Sequence, residues 1–175
     1  WSTKWLVDFN PDKTEYLIFS NKKKKPTLSI KFKDNTITQK ETHKHLGLLF
    51  NDKLTWSDHI DKCTKRARQK LGMLYRQSSK LNINQKITIY KSIIRPILEY
   101  GSIIFDNCSA SDVIRLEGCQ RQAALICTGA MRRTESDIML RELNWDKLCT
   151  RRQYLKLSFF YKIINSQTSP YLREY

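Results

Sequence analysis

The hydrophobic period of the chain changes near residues 51–56, and this change restricts the fold more than any other feature. Before it, apolar and polar residues alternate in short runs, which is the pattern of strands with one buried face. After it, apolar residues recur every three or four positions, which is the pattern of helices that pack along one side. The sequence therefore predicts an α+β chain in which short antiparallel strands precede a helical bundle.

Four short runs predict the strands, at residues 15–20, 27–33, 36–39 and 44–50. Within the second run, apolar residues alternate with polar ones and give one apolar and one solvated face. We expect these runs to form an antiparallel meander at the rim of a sheet. The lysine run at residues 22–25 fits a basic hairpin tip better than a nuclear localisation signal.

Three helices are predicted between residue 57 and a glycine near residue 129. The first has Ser57 as a candidate N-cap and about six turns. Its buried seam is expected to contain Ile60, Cys63, Ala67, Leu71, Leu74 and Ser78. The second begins near Asn84 and carries apolar residues inward, among them Ile93. Pro96 must kink or split it, because proline lacks the amide hydrogen and crowds the preceding turn. The third begins after Ser109 or Ser111.

Two further helices are predicted in the tail, over residues 135–143 and 146–165, with Asn144 as the cap of the second. The residues expected to be buried in the last helix are Leu148, Leu155, Phe159 and Ile163. Those expected to stay mostly solvated are Arg151, Arg152, Lys156 and Lys162. The helices of the second half should therefore form a bundle with additional helices at its end.

The net charge of +15 and the pI of about 9.7 predict a polyanionic partner, and nucleic acid is the leading candidate. The excess is uneven, because residues 1–80 carry 18 basic and 8 acidic side chains and so hold +10 of the total. The first part of the chain should meet the polyanion most directly. A merely well-solvated basic surface is the alternative, although solubility rarely requires so much charge of one sign.

The five cysteines are odd in number and never fall in a C-x-x-C pair, which argues against a disulfide framework and a zinc knuckle. A reducing compartment fits them best. No apolar run reaches the length of a membrane span and no leader-like segment is present, so we expect a soluble, intracellular protein with no membrane partner.

Several blocks of sequence resemble one family, in that family's order. They read FNPDKTEYLIFS, HKHLGLLFNDKLTWSDHI, LYRQSSKL, IYKSIIRPILEYGSIIFD and LEGCQRQAALICTG. Together they are similar to the carboxy-terminal part of non-LTR retrotransposon reverse transcriptases of the jockey-like kind. The first block looks like motif D and the second like motif E, the primer grip. The resemblance implies the end of a polymerase palm at residues 1–55, a helical thumb at 56–130 and accessory helices at 131–175.

The same resemblance implies an RNA-directed DNA polymerase that uses an RNA template, a DNA primer and deoxynucleoside triphosphates. It places the catalytic aspartates, which hold two Mg²⁺ or Mn²⁺ ions, before Trp1. We therefore expect a truncated amino terminus that lacks the fingers and most of the palm, and a fragment that is inactive alone. The family also implies a cytoplasmic ribonucleoprotein that reaches the nucleus.

Three sets of site residues follow from the resemblance. Lys13 matches the motif D lysine, the implied general acid beside the triphosphate; alternatively it is a solvated loop lysine. Leu46, Gly47 and Leu48 match the primer grip, which in the family is a β-hairpin against the backbone at the primer's 3′ end. A glycine at a strand bulge is the alternative for Gly47.

The third set is the basic side of the first thumb helix. It consists of Lys62, Lys65, Arg66, Gln69 and Lys70, which face away from the apolar seam. Such a face can lie along a template–primer duplex without reading its sequence. The alternative is the charged solvent face of an ordinary surface helix.

Other constellations carry no site in this interpretation. His43 and His45 share a strand face without a third metal ligand, so no metal site is predicted. Asp8 and Asp12 fit caps or turn solvation rather than a metal pair. Residues 57–59 imitate a hydrolase triad only by adjacency. A free-standing helical nucleic-acid-binding module remains the rival function, with a protein-interaction bundle as the third possibility. An aromatic-Ala-Asp-Asp motif in frame before Trp1 would favour the polymerase over both.

Overall fold

The computed structural model describes residues 2–22, 26, 28–32 and 35–173. The chain divides into two compact units, Trp1–His59 and Ile60–Tyr175. Most of the predicted lysine tip, residues 23–25, lies outside the described residues, as do Thr27 and Lys33 of the second predicted strand.

The first unit is built from short elements. They are helix α1 (Ser2–Trp5), a 3₁₀ turn (Pro11–Lys13) and the strands β1 (Glu15–Leu17), β2 (Lys31–Phe32), β3 (Asn35–Thr36), β4 (Thr38–Lys40), β5 (Thr42–His45) and β6 (Leu48–Asn51). The strands form three separate pairs. β2 pairs with β3 and β5 with β6, both antiparallel, whereas β1 pairs with β4 in parallel.

The expected antiparallel meander is therefore wrong in its connectivity. The run predicted at residues 15–20 keeps strand geometry only to Leu17, and the Ser20 amide then donates to the Asp52 carbonyl at 2.9 Å. The run at 36–39 divides at Ile37, whose amide donates to the Ile30 carbonyl at 2.8 Å. The chain between β1 and β4 is long enough to return in the same direction, which a tight hairpin cannot do.

An aromatic series joins the end of the sheet region to the first turn of the long helix. Phe19 meets Phe50 edge to face, Phe50 meets Trp56, and Trp56 meets His59, with ring centroids 6.5, 5.4 and 6.4 Å apart. Edge-to-face contacts of this kind stabilise beyond the area they bury. Trp56 and His59 are both buried, so this series forms part of the packing of the first unit.

The helices that follow are α2 (Ser57–Gln77), α3 (Ile83–Ile89), a π-helical segment (Tyr90–Ile94), α4 (Arg95–Glu99), α5 (Ala110–Thr128), α6 (Ser136–Glu142) and α7 (Leu148–Ile164). Two 3₁₀ turns, Ser78–Lys80 and Pro170–Arg173, accompany them. This α+β content agrees with the predicted class.

The helix ends follow local chemistry. Asn82 and Gln85 form a reciprocal capping box at the start of α3, with bonds of 2.9 and 3.0 Å. Ser109 caps α5, and Gly129 ends it in the left-handed conformation at φ 72°. Ser57 is the first residue of α2 rather than its cap, one position from the prediction.

The predicted break at Pro96 is confirmed. The Arg95 amide donates to the Tyr90 carbonyl, five residues back, which is the bond of a π turn. Pro96 then occupies the start of α4, where no amide hydrogen is needed. The extra residue in the π turn shifts the apolar face, so Ile93, expected inside, is 48% exposed while Ile94 is fully buried.

The core of the second unit combines one face from each long helix. α2 contributes Ile60, Ala67, Leu71 and Leu74; the kinked helix contributes Tyr90, Ile94 and Leu98; α5 contributes Leu116, Cys119, Ala123 and Cys127. The Tyr90 ring stacks on Trp145 with centroids 4.2 Å apart. Burial raises the pKa of the Tyr90 hydroxyl far above its usual value, with the Glu99 carboxylate as a second cause.

The carboxy-terminal helices pack on α5 through a buried amide. Gln120 donates from Nε2 to the Asp146 carbonyl at 2.8 Å, and its Oε1 accepts from the Leu148 amide at 3.1 Å. Glu117 accepts from the Cys149 amide at 2.8 Å. Since these bonds satisfy the first free amides of α7, they fix where that helix begins.

Three tail expectations are wrong. Asn144 does not cap α7; it follows α6 in the left-handed conformation at φ 51°, and Lys147 holds the capping position. Arg152, expected in solvent, is 2% exposed, because it lies on the same side of α7 as Leu148. Phe159, expected inside, is 36% exposed near the end of the helix.

Candidate nucleic-acid interface

The predicted primer-grip residues lie at the turn of a hairpin. β5 and β6 pair from Thr42 with Asn51 to His45 with Leu48, so only Leu46 and Gly47 connect them. Both have positive φ, 45° and 91°. This is the requirement of a type I′ turn, whose twist matches that of the strands. The predicted continuous run at residues 44–50 therefore folds back on itself, and Gly47 is a turn residue rather than a bulge.

The three grip residues face different surroundings. Leu46 is 76% exposed at the tip, whereas Leu48 is 5% exposed. A leucine in the left-handed conformation costs about 1–2 kcal/mol, and asparagine is the residue that hairpin turns of this type prefer there. The tip thus presents an apolar side chain that the turn itself does not favour.

The hairpin is fixed to the start of α2. The Leu49 amide donates to His59 Nδ1 at 3.3 Å. The Asn51 side chain donates to Thr55 Oγ1 at 2.5 Å and accepts from the Thr55 amide at 2.8 Å. His59 therefore has a structural role, which accounts for it without a triad.

Lys13 ends a 3₁₀ turn and is exposed. Asn10 Oδ1 accepts from the Asp12 amide at 2.9 Å, and the Thr14 amide donates to the Pro11 carbonyl at 3.1 Å. These bonds hold the backbone of the turn while leaving the Lys13 side chain in solvent. The Asp12 side chain is exposed in the first turn of the same element.

A link between β1 and the hairpin was missed by the sequence reading. Glu15 Oε1 lies 2.5 Å from His43 Nδ1, which connects the strand after Lys13 to β5. The rings of His43 and His45 lie 6.2 Å apart. In the part of the chain that the structure describes, no three His, Cys, Asp or Glu side chains form a group able to hold a metal ion.

The basic side of α2 is exposed as predicted. All five expected residues, Lys62, Lys65, Arg66, Gln69 and Lys70, are exposed, opposite the buried residues of the seam. Arg68 and Arg76 are exposed as well. From residue 62 to residue 98 the chain carries ten basic and no acidic side chains. The preceding acid, Asp61, is paired with Arg115 of α5. The positive field along α2 is therefore not neutralised within this segment.

A groove runs along this helix. Gly72 lies within it, and its walls are formed by Asp61, Thr64, Lys65, Arg68, Gln69, Met73 and Arg76. The one acid among them, Asp61, is the carboxylate paired with Arg115. Arg68, Gly72 and Arg76 were not among the residues predicted from the sequence. Their spacing of four residues, visible in the sequence, could have indicated the set, because it places all three in one line on the helix.

The thiols offer no reactive site in this region. Burial raises the pKa of Cys63 on α2 and of Cys119 on α5, and it raises the pKa of Cys127 to about 11. A thiol that stays protonated is a poor nucleophile. None of the helices in the described ranges is long and apolar enough to cross a membrane.

Comparison with known proteins gives one consistent group of relatives. Over 132 residues, 74% of its length, the chain is 30% identical to a probable RNA-directed DNA polymerase from transposon X-element of Drosophila melanogaster. Over 167 residues, 93% of its length, it is 26% identical to the RNA-directed DNA polymerase from mobile element jockey of the same species. The chain is therefore related to jockey-like RNA-directed DNA polymerases. The resemblance found in the sequence blocks is confirmed.

The relatedness extends to other elements but covers a limited part of each relative. A probable RNA-directed DNA polymerase from transposon BS of Drosophila melanogaster is 26% identical over 148 residues. The chain spans 14%, 18% and 16% of the lengths of these three relatives. No protein-family model matches the chain, and no solved structure matches it.

Proposed function

We propose that this chain is part of a retrotransposon reverse transcriptase, with the end of the palm at residues 1–55, the thumb at 56–130 and accessory helices at 131–175. One observation carries the proposal. A two-residue hairpin with an exposed apolar tip leads directly into a long helix that buries one side and exposes basic residues along the other. The similarity to RNA-directed DNA polymerases along most of the chain supports it.

In this proposal the complete enzyme adds deoxynucleotides to a DNA 3′ hydroxyl under the direction of an RNA template. The two divalent cations, Mg²⁺ or Mn²⁺, are held in this proposal by the catalytic aspartates that the resemblance places before Trp1. The fragment alone is then inactive. It acts within a ribonucleoprotein of the cytoplasm that also enters the nucleus.

Three parts of the chain take separate roles. Lys13 lies beside the incoming triphosphate and donates a proton to the leaving pyrophosphate, on which negative charge develops. Leu46 and Gly47 approach the primer end, where the absent Gly47 side chain allows close contact. Lys62, Lys65, Arg66, Gln69 and Lys70 contact the phosphates of the template–primer duplex.

The Lys13 role is tested in a polymerase extended upstream to include the catalytic aspartates. Lys13→Ala should lower the primer-extension rate by about 10²-fold, the lower limit for a lost general acid, without a comparable loss of duplex affinity. Lys4→Ala, which removes an exposed lysine from α1 in the same unit, is the control. An unaltered rate in Lys13→Ala would remove the assignment.

A non-catalytic nucleic-acid-binding module remains the second candidate. Two features favour it: the second unit is compact by itself, and its segment at residues 62–98 carries basic but no acidic side chains. A nucleic-acid-binding module could have both features without a polymerase domain. A polymerase extended upstream that extends primers, and loses this activity when α2 is neutralised, would exclude it.

A further inference from the structure

Two long helices each contain an interior glycine that the fold does not require. Gly72 lies in α2 and Gly118 in α5. A Cβ added to Gly72 would meet no atom closer than Arg76 Nη1 at 3.7 Å, an ordinary contact, and one added to Gly118 would meet nothing within 4 Å. Because glycine weakens a helix relative to alanine, both positions call for a reason outside the packing of this chain.

The surroundings of the two glycines differ. Gly72 lies in the basic groove, with Arg68 one turn before it and Arg76 one turn after it. Gly118 lies on an exposed face one turn after Ile114, which is 71% exposed. The arginines three residues either side of it are already engaged: Arg115 pairs with Asp61 and Asp112, and Arg121 donates to the carbonyls of Arg132 and Thr134. Within the described ranges, Gly72 therefore differs from Gly118 in that its two flanking arginines form no ion pair with a carboxylate.

The geometry of this line suits one phosphate group. Residues four apart on a helix are about 6 Å apart along its axis, so Arg68 and Arg76 bracket the space above Gly72. The guanidinium of Arg76 already reaches that space, as its 3.7 Å distance from the added Cβ position shows. Guanidinium groups bind phosphate oxygens through paired N–H donors. The amides of the helix interior are engaged in the helix, so Gly72 contributes shape and the arginines contribute the bonds.

We propose that Gly72 is the point of closest approach between α2 and the nucleic-acid backbone, where a phosphate lies over the glycine between Arg68 and Arg76. This inference rests on the proposed duplex-binding function of α2 and adds three residues to it. Gly72 acts as a positioning residue: any side chain there lifts the phosphate away from the two guanidinium groups. The contact is to the backbone and so is independent of sequence.

The test compares three single variants of the 175-residue chain, using a duplex of DNA primer on RNA template. Gly72→Ala and Gly118→Ala should each raise the melting temperature by about 1–4 °C, because alanine favours the helix and both sites have room. Gly72→Ala should weaken duplex affinity by about 3–10-fold, the loss expected for one strained phosphate contact, whereas Gly118→Ala should leave it unchanged. Gly72→Leu should weaken it further.

A double-mutant cycle separates a phosphate contact at Gly72 from effects of the substitution on the helix as a whole. In an Arg76→Ala background the effect of Gly72→Ala should shrink, because the lost guanidinium no longer holds the phosphate there. Wild-type affinity in both Gly72 variants would overturn the inference while leaving the proposed function intact, provided that neutralising Lys62, Arg66 and Lys70 still weakens binding. A wild-type chain with no salt-dependent duplex affinity would refute the proposed function and this inference with it.

Discussion

Arg152 allows a sharp test of how the second unit is stabilised. Its side chain is 3% exposed, and its Nε lies 3.9 Å from Asp106 Oδ1. Neither its Nε nor its Nη1 has a hydrogen-bond partner among the residues that the structure describes. Asp106 is also bonded to Lys156, which is half exposed. The carboxylate thus pairs with two cations, whereas Asp106 is the one ion-pair partner of the buried guanidinium within the described ranges.

The two ends of this pair should respond differently to mutation. Asp106→Asn leaves the Arg152 charge buried without its counter-ion, a change that costs about 3–5 kcal/mol in closely paired sites. The 3.9 Å separation and the partial exposure of Asp106 place the expected loss just below that range, at about 2–3 kcal/mol. Arg152→Met removes the buried charge and keeps an apolar stem, while Asp106 retains Lys156. Its cost should stay within about 1 kcal/mol.

Urea unfolding followed by far-UV circular dichroism measures both variants, since the helices of the second unit dominate that signal. Lys156→Met is the matched control, because it removes the exposed partner of the same carboxylate and should cost at most about 1 kcal/mol. A loss in Asp106→Asn no greater than that in Arg152→Met would refute the assignment of Arg152 as a buried charge that depends on Asp106.

Three further predictions concern the turn, a cap and a thiol. Leu46→Asn should stabilise the hairpin by about 0.5–1 kcal/mol in thermal unfolding, because asparagine tolerates positive φ, while slowing primer extension in the longer enzyme; destabilisation beyond 1 kcal/mol would contradict the turn assignment. Asn82→Ala should cost about 1 kcal/mol of unfolding free energy by opening the capping box, and an unchanged midpoint would show that the box contributes nothing. The pKa of Cys127 is raised from 9.0 to about 11, so the unfolded chain loses this proton first and stability should fall between pH 9 and 11; Cys127→Ala should flatten that part of the profile, and an identical profile would exclude the thiol as a cause.

The helices could be predicted because their signals are local. The seam of α2, the serine cap of α5 and its terminal glycine, and the break at Pro96 all depend on residues within a few positions of one another. The strand pairing could not be predicted, because it joins distant segments. Nothing near Glu15 indicates that β1 pairs in parallel with β4, about 23 residues later.

The predicted burial of two helix residues, Arg152 and Ile93, is wrong. Arg152 occupies the buried line of α7, four residues after Leu148, but arginine is usually solvated and was assigned to the surface. Ile93 was assigned to the core by a regular helical period, which the π turn interrupts. The four-residue spacing from Leu148 could have indicated the burial of Arg152, and Pro96 could have indicated the break in the period near Ile93.

The candidate site was predictable in part. Exposure of the basic side of α2 followed from its period, and the hairpin at Gly47 followed from the resemblance. The groove around Gly72 and the contact between Glu15 and His43 required three-dimensional positions, since they depend on the absence of a side chain and on two distant strands. The roles of Lys13, the hairpin tip and α2 in binding and catalysis stay predictions.

The salt dependence of duplex affinity tests the central claim most directly. Each phosphate contact contributes about −0.7 to −0.9 to the slope of log K against log salt, so replacing Lys62, Arg66 and Lys70 together by alanine should reduce the slope by about 2–3. The matched control replaces three exposed cations outside the basic segment at residues 62–98, Arg133, Arg141 and Lys162, and should change the slope by less than about 1. Equal slopes in the wild-type chain and the α2 variant would contradict the account.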